Sequence, residues 1–143
     1  MEKNLEFLNE KKGQSDKWGC GCAVINSDGK LLLGLRCKKT DLPQWSFVGG
    51  SIETGESPFE GIKREIKEES DLTPLVVQYV DDYEKDGVRD FLFICKFFTG
   101  KPFPQEGEFS KIGFFTLEEI EGMELFSYTI ESLNILKDKG YVK

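Results

Sequence analysis

The sequence predicts an α/β domain in which a β-sheet carries a helix on each face. Three observations point there. Short apolar runs of strand length, such as CGCAVI (20–25) and KLLLGLR (30–36), are punctuated by turn residues. Two segments carry apolar residues at helical spacing, one in the middle of the chain and one at its end. The run FLFIC (91–95) is apolar at both alternating sets of positions, as strands between two helical layers are.

The elements follow in order. Residues 1–17 are polar apart from Leu5, Phe7 and Leu8, and form an unassigned N-terminal arm ahead of a domain spanning 18–143. CGCAVI reads as a strand, Asn26-Ser27-Asp28-Gly29 as a turn, and KLLLGLR as the second strand of a hairpin. Residues 37–48 form a loop and a short extended piece with Trp45 and Phe47 packed, and Gly49-Gly50 begins an irregular turn. Ser57, Pro58 and Glu60 spell a helix start: N-cap, first-turn proline and the N3 acid of a capping box. Phe59, Ile62 and Ile66 share one flank of that helix, which Thr73-Pro74 ends.

LVVQYV is a strand, DDYEKDG a polar link turning at Asp86-Gly87, VRDFLFICKFF the next strand, and SKIGFFTL another. Thr116 caps a short helix with Glu119 at N3. A last helix covers roughly 127–139, with Tyr128, Ile130, Leu133, Ile135 and Leu136 on its apolar side and Gly140 ending it.

Bulk properties bound the function. A chain of 143 residues with 38% apolar composition can bury its own core as one domain. A formal net charge of −7 argues against a general grip on a nucleic-acid backbone, so no extended nucleic-acid partner is expected. The absence of histidine excludes histidine zinc sites, histidine bases and Ser-His-Asp triads. Cys20, Cys22, Cys37 and Cys95 lack zinc-site spacing and read as reduced core thiols. The first residues do not read as a signal peptide, and no apolar run reaches spanning length. No membrane partner is expected, and the expected location is cytoplasmic.

The middle helix carries the chemistry. Glu65, Glu68 and Glu69 form a stripe beside its apolar flank, while Lys63 and Lys67 fall on the other side. Arg64 reaches Glu68 from i to i+4. Clustered carboxylates raise one another's pKa unless a cation is present, and Mg²⁺ binds through a few carboxylates with water and substrate phosphates. Glu56 is placed to add an oxygen ligand or to anchor hydrogen bonds, and Gly50 to bring a backbone carbonyl close. The plainer reading is a solvated, charged helix face.

The pattern from Gly50 through Glu56, Arg64-Glu65, Ile66, Glu68-Glu69 and Leu72 resembles the Nudix box, with Asp71 where that motif has glycine. LPQWSFVGG resembles the aromatic approach to the box, with Val48 where many members carry proline. The resemblance implies a single-domain α/β/α sandwich with a mixed β-sheet. It implies a Mg²⁺-dependent hydrolase, Mn²⁺ being possible, that cleaves a diphosphate linkage in a nucleoside diphosphate-X compound.

By the same resemblance Glu65, Glu68 and Glu69 hold metal, Arg64 orients them, and Glu56 lies at or next to the metal. Glu108, with Glu106 second, supplies the loop acid, and Glu65 or Glu108 the general base. Val88 stands where ADP-ribose members carry proline, so a small nucleoside triphosphate is the favoured substrate; ADP-ribose or another nucleotide sugar is the alternative. Trp45, Phe47, Tyr83 and Phe109 are candidates to stack a base. A non-catalytic nucleotide sensor and an isopentenyl-diphosphate-type isomerase are the other classes, the latter weakened by the missing histidines. A homodimer is possible, since relatives of this kind often pair.

Overall fold

The structure is a computed structural model that describes residues 5–36 and 43–142. A short 3-10 helix, Leu5–Asn9, precedes strand β1, Trp18–Val24. Then come β2 (Leu31–Arg36), β3 (Trp45–Ser46), β4 (Val48–Ser51), α1 (Pro58–Ser70), β5 (Thr73–Lys85) and β6 (Val88–Thr99). The chain closes with β7 (Phe109–Phe115), α2 (Leu117–Glu121) and α3 (Ser127–Asp138).

Two sheets organise these strands. One has the order β4-β1-β6-β5 and is mixed, with β1 parallel to β6 and the other pairs antiparallel. The other has the order β3-β2-β7 and is antiparallel. The expected hairpin of β1 and β2 is therefore a correction. The Asn26 side chain does fold the turn, accepting from the N–H groups of Asp28 and Lys30, but the two strands meet only at the bridge Ile25–Leu31. Both edges of β1 are already taken by β4 and β6, so β2 diverges to pair with β3 and β7.

The central strand β6 is buried on both faces. Phe91, Phe93 and Cys95 point into a core with Ile62 and Ile66 of α1, while Leu92 and Ile94 join Leu133 and Leu136 of α3. The polar link expected over DDYEKDG is instead part of β5, which runs on to Lys85. Only Asp86 and Gly87 turn, with φ of 53° and 79°, as a two-residue hairpin requires. Cys20, Cys22 and Cys95 are free and buried; Cys37 lies outside the described residues.

The N-terminal segment is packed onto the domain. Leu8 is buried, and Phe7 packs against Tyr79 and Phe91. Lys12 exchanges backbone hydrogen bonds with the loop before α1, donating to the Glu56 carbonyl and accepting from Gly55 N–H, both at 3.0 Å. On α3 the buried side is Thr129, Ser132, Leu133 and Leu136, whereas Ile130 faces out at 46% exposure. That flank meets a polar cleft as well as the core, and small hydroxyl residues occupy it there.

α1 is bounded as its sequence implies. Ser57 and Glu60 form the reciprocal capping box. Asp71 ends the helix in the left-handed region at φ 64°, its N–H bonded to the Lys67 carbonyl. An aspartate tolerates that conformation where a β-branched residue does not. Asp71→Val should therefore lower stability by about 1–2 kcal/mol in urea unfolding, while Asp71→Gly should be at least as stable as the parent chain. Equal midpoints for all three would contradict this.

Candidate active site

The floor of the site is the glycine pair of β4. Gly49 sits directly against β1, where a Cβ would collide with the Cys20 carbonyl. A Cβ on Gly50 would lie 2.7 Å from Glu65 Oε1. The missing side chains thus let α1 bring its carboxylates onto the strand. Glu69 Oε1 accepts a hydrogen bond from Gly49 N–H at 2.6 Å and is only 6% exposed.

Arg64 fixes the acids. Its Nε donates to Glu56 Oε2 at 2.7 Å and its Nη2 to Glu56 Oε1 at 3.0 Å, a bidentate pair. Nη1 donates to Glu65 Oε1 at 2.9 Å and to Glu68 Oε2 at 3.0 Å, and Nη2 also reaches the Ser51 carbonyl. Hydrogen bonding from Arg64 holds the Glu56 carboxyl below its usual range.

The inner acids behave oppositely. Burial pushes Glu65 up, with Arg64 opposing and Glu68 and Glu108 adding to the rise. Burial pushes Glu69 up to about 8, against the Gly49 N–H and with Glu65 and Glu108 adding. Glu108, on the loop before β7, comes within hydrogen-bonding reach of Glu69.

Glu65, Glu69, Glu108, Gly49 and Gly50 line part of a cleft of about 410 Å³. That volume falls in the range of small-molecule sites, roughly 300–1,000 Å³. Arg36, Phe47, Phe126, Tyr128, Thr129, Ser132 and Asp90 line the rest of it, Asp90 beside Gly19 and close to the Gly50 carbonyl. Phe47 is anchored there by its N–H, which donates to Thr129 Oγ1 at 3.1 Å.

The expected site residues separate into two groups. Glu65, Glu69, Glu108, Gly50 and Phe47 come together in the cleft. Glu68 stays on the rim at 58% exposure, held by Arg64. Glu56, expected near the metal, has both oxygens engaged by Arg64 and by the Glu53 N–H, and anchors the arginine. The three other aromatic candidates do not line the cleft. Trp45 packs edge-on against Phe115 at 5.1 Å. Phe109 is buried in the core over Gly34, where a Cβ would collide with its ring. Tyr83 directs its hydroxyl to the Tyr128 carbonyl (3.1 Å) and Ser132 Oγ (3.0 Å), propping α3.

Sequence reading missed Asp90, Ser46 and the hydroxyls of α3. The available signal was Asp90 itself, a charge at the head of an otherwise doubly apolar strand.

Among the described residues no group of three or more acidic, cysteine or histidine side chains is already assembled at metal-binding spacing. The donors that do face the cleft nevertheless suit a hard divalent ion such as Mg²⁺ or Mn²⁺. They are carboxylate and carbonyl oxygens, and burial, with the neighbouring carboxylates adding to it, raises Glu65 and Glu69, a crowding that a bound cation would relieve.

A model of the NUDIX domain matches residues 16–137, and the chain belongs to that family. It is 35% identical over 65 residues to a CTP pyrophosphohydrolase of Escherichia coli, covering 45% of this chain and 48% of that protein. It is 28% identical over 90 residues to an 8-oxo-dGTP diphosphatase of Haemophilus influenzae, covering 59% of this chain and 66% of that protein. The matched stretches thus span half to two-thirds of these relatives. In fold, the chain is similar to the MutT NUDIX hydrolase of Burkholderia pseudomallei, with a TM-score of 0.75 at 22% identity over 86% of this chain and 99% of that one. No helix among the described residues is long and apolar enough to cross a membrane.

The raised Glu69 carboxyl has a measurable consequence. Its folded-state pKa lies above the unfolded value, so between about 4.5 and 8 the metal-free fold loses stability as pH rises. A divalent ion held by Glu69 would have to displace that proton. Magnesium affinity should therefore climb by up to about tenfold per pH unit below pH 8, with proton release visible in calorimetry across buffers of different ionisation enthalpy. A constant affinity from pH 6.5 to 8.5 would contradict the placement of Glu69.

Proposed function

We propose that this chain is a Mg²⁺-dependent pyrophosphohydrolase acting on a small nucleoside triphosphate. The observation that carries the reading is the cleft itself, which Glu65, Glu69, Glu108 and Gly50 line together with aromatic and hydroxyl side chains. The triphosphate relatives named above support the choice of substrate.

When bound, Mg²⁺ or Mn²⁺ would neutralise the polyphosphate and lower the pKa of a water. Glu65, Glu69 and Glu108 would hold that ion, with Glu68 available from the rim. Arg64 keeps Glu65 aimed at the cleft and remains cationic throughout. Glu65 or Glu108 accepts the proton of the attacking water. The water oxygen bonds to one phosphorus of the α–β anhydride, the bond from that phosphorus to the bridging oxygen breaks, and the electron pair stays on the bridging oxygen of the departing half, monophosphate or pyrophosphate. The products are a nucleoside monophosphate and pyrophosphate. Phe47, with the aromatic and hydroxyl side chains beside it in the lining, would receive the base.

Glu65→Gln and Glu69→Gln should each lower kcat by about 100-fold or more in pyrophosphate-release assays with Mg²⁺, without loss of far-ultraviolet dichroism. Glu60→Gln should leave kcat unchanged, since glutamine serves equally at N3 of a capping box. Full activity in both site variants would overturn the assignment.

A further inference from the structure

Asp90 is a buried carboxyl that the reaction above does not use. On the same face of β6, Leu92 and Ile94 are core residues, so the strand pattern calls for an apolar side chain at 90. Asp90 is instead 7% exposed, and what surface it keeps lies in the cleft. Its neighbour across β1 is Gly19, where a Cβ would stand 2.9 Å from Asp90 Oδ1; Gly21 follows on the same side. The two glycines leave the carboxyl uncovered towards the cleft.

No cation among the described residues is paired with Asp90. The group that favours its ionised form is the Tyr83 hydroxyl, and burial raises its pKa to about 6, so it is still mostly ionised at neutral pH. Ser46 is a second buried group with an unmet need. It lines the same cleft at 2% exposure, and its hydroxyl has no hydrogen-bond partner among the described residues. Buried polar groups without partners are costly, and a ligand that satisfies them recovers that cost.

The partner that such a carboxylate lacks is a hydrogen-bond donor or a cation, and among the parts of a nucleotide the base is the one whose donor pattern differs from nucleotide to nucleotide. A phosphate is excluded, because a carboxylate repels it. An ionised carboxylate accepts two parallel N–H groups. Guanine offers them, as a ring N–H beside an exocyclic amine. Adenine and cytosine present a ring lone pair beside their amine, and uracil places its single N–H between two carbonyls. We propose that Asp90, with Ser46, reads the base in this cleft and selects nucleotides of the guanine pattern. Modification at C8 of the purine leaves that edge unchanged. The proposal rests on the cleft being a nucleotide site.

The test compares GTP, ATP, CTP and UTP by pyrophosphate release with Mg²⁺, and the four monophosphates by metal-free calorimetry. The parent chain should favour GTP by about tenfold or more in kcat/KM, and should bind GMP best. Asp90→Asn presents one donor and one acceptor, the complement of adenine and cytosine. It should cost GTP about 10- to 100-fold in kcat/KM while raising ATP or CTP relative to it, a reversal that loss of packing would not produce. Ser46→Ala should raise KM for GTP several-fold at unchanged kcat, and decides the matter if the first variant does not fold. Turnover without base preference, or an unchanged preference in Asp90→Asn, overturns the base-reading role alone. Selective GMP binding without any triphosphate turnover overturns the proposed reaction and upholds the base reading. Absence of both overturns both.

Discussion

The Arg64 guanidinium ties together three parts of the chain, the loop before α1, the end of β4 and α1 itself. Its bidentate pair with Glu56 closes the loop that leads into α1, its bond to the Ser51 carbonyl fastens that loop to the end of β4, and Nη1 spans Glu65 and Glu68. Charge-assisted bonds of this kind are short and directional, and a planar fork satisfies several acceptors at little cost in side-chain freedom. The capping box at Ser57 fixes where α1 begins, so the register of Glu65 and Glu69 against Gly49 and Gly50 follows from it. Without that register the acids would face solvent and repel one another to no purpose.

The site is held in an electrostatically unsettled state. One arginine satisfies the outer acids, Glu56 and Glu68, while the inner ones are buried and crowded by Glu108. A fold optimised for stability would not bury Glu69 beside other carboxyls, nor Asp90 without a cation. The two buried acids lie in the same cleft, and the roles proposed for them are opposite in chemistry. A cation would satisfy the first and N–H donors the second, and the glycines of β1 and β4 leave room beside both.

Much of this was legible because it is local. The capping box, the left-handed Asp71, the Asp86-Gly87 turn and the two-faced burial of FLFIC each depend on residues close in sequence. The acidic stripe was visible through helical spacing alone. What sequence hid depends on long-range pairing. The separation of β1 from β2 is decided by which strands occupy the edges of β1, among them β6, far along the chain. Trp45, Tyr83 and Phe109 resemble stacking candidates by residue type, yet their rings serve packing against β7, α3 and β2. Thr129 and Ser132 line the cleft because α3 turns their flank towards Phe47, which a helical periodicity of apolar residues does not reveal.

The central claim is that carboxylates of one helix flank, facing two glycines, hold a divalent ion. Anomalous diffraction from crystals grown with Mn²⁺ and a non-hydrolysable nucleoside triphosphate analogue tests it most directly. The account predicts a manganese peak bounded by Glu65, Glu69 and the Gly50 carbonyl, with the phosphates completing the coordination. A peak held by phosphates and water alone, with Glu69 still bonded only to Gly49, would contradict it.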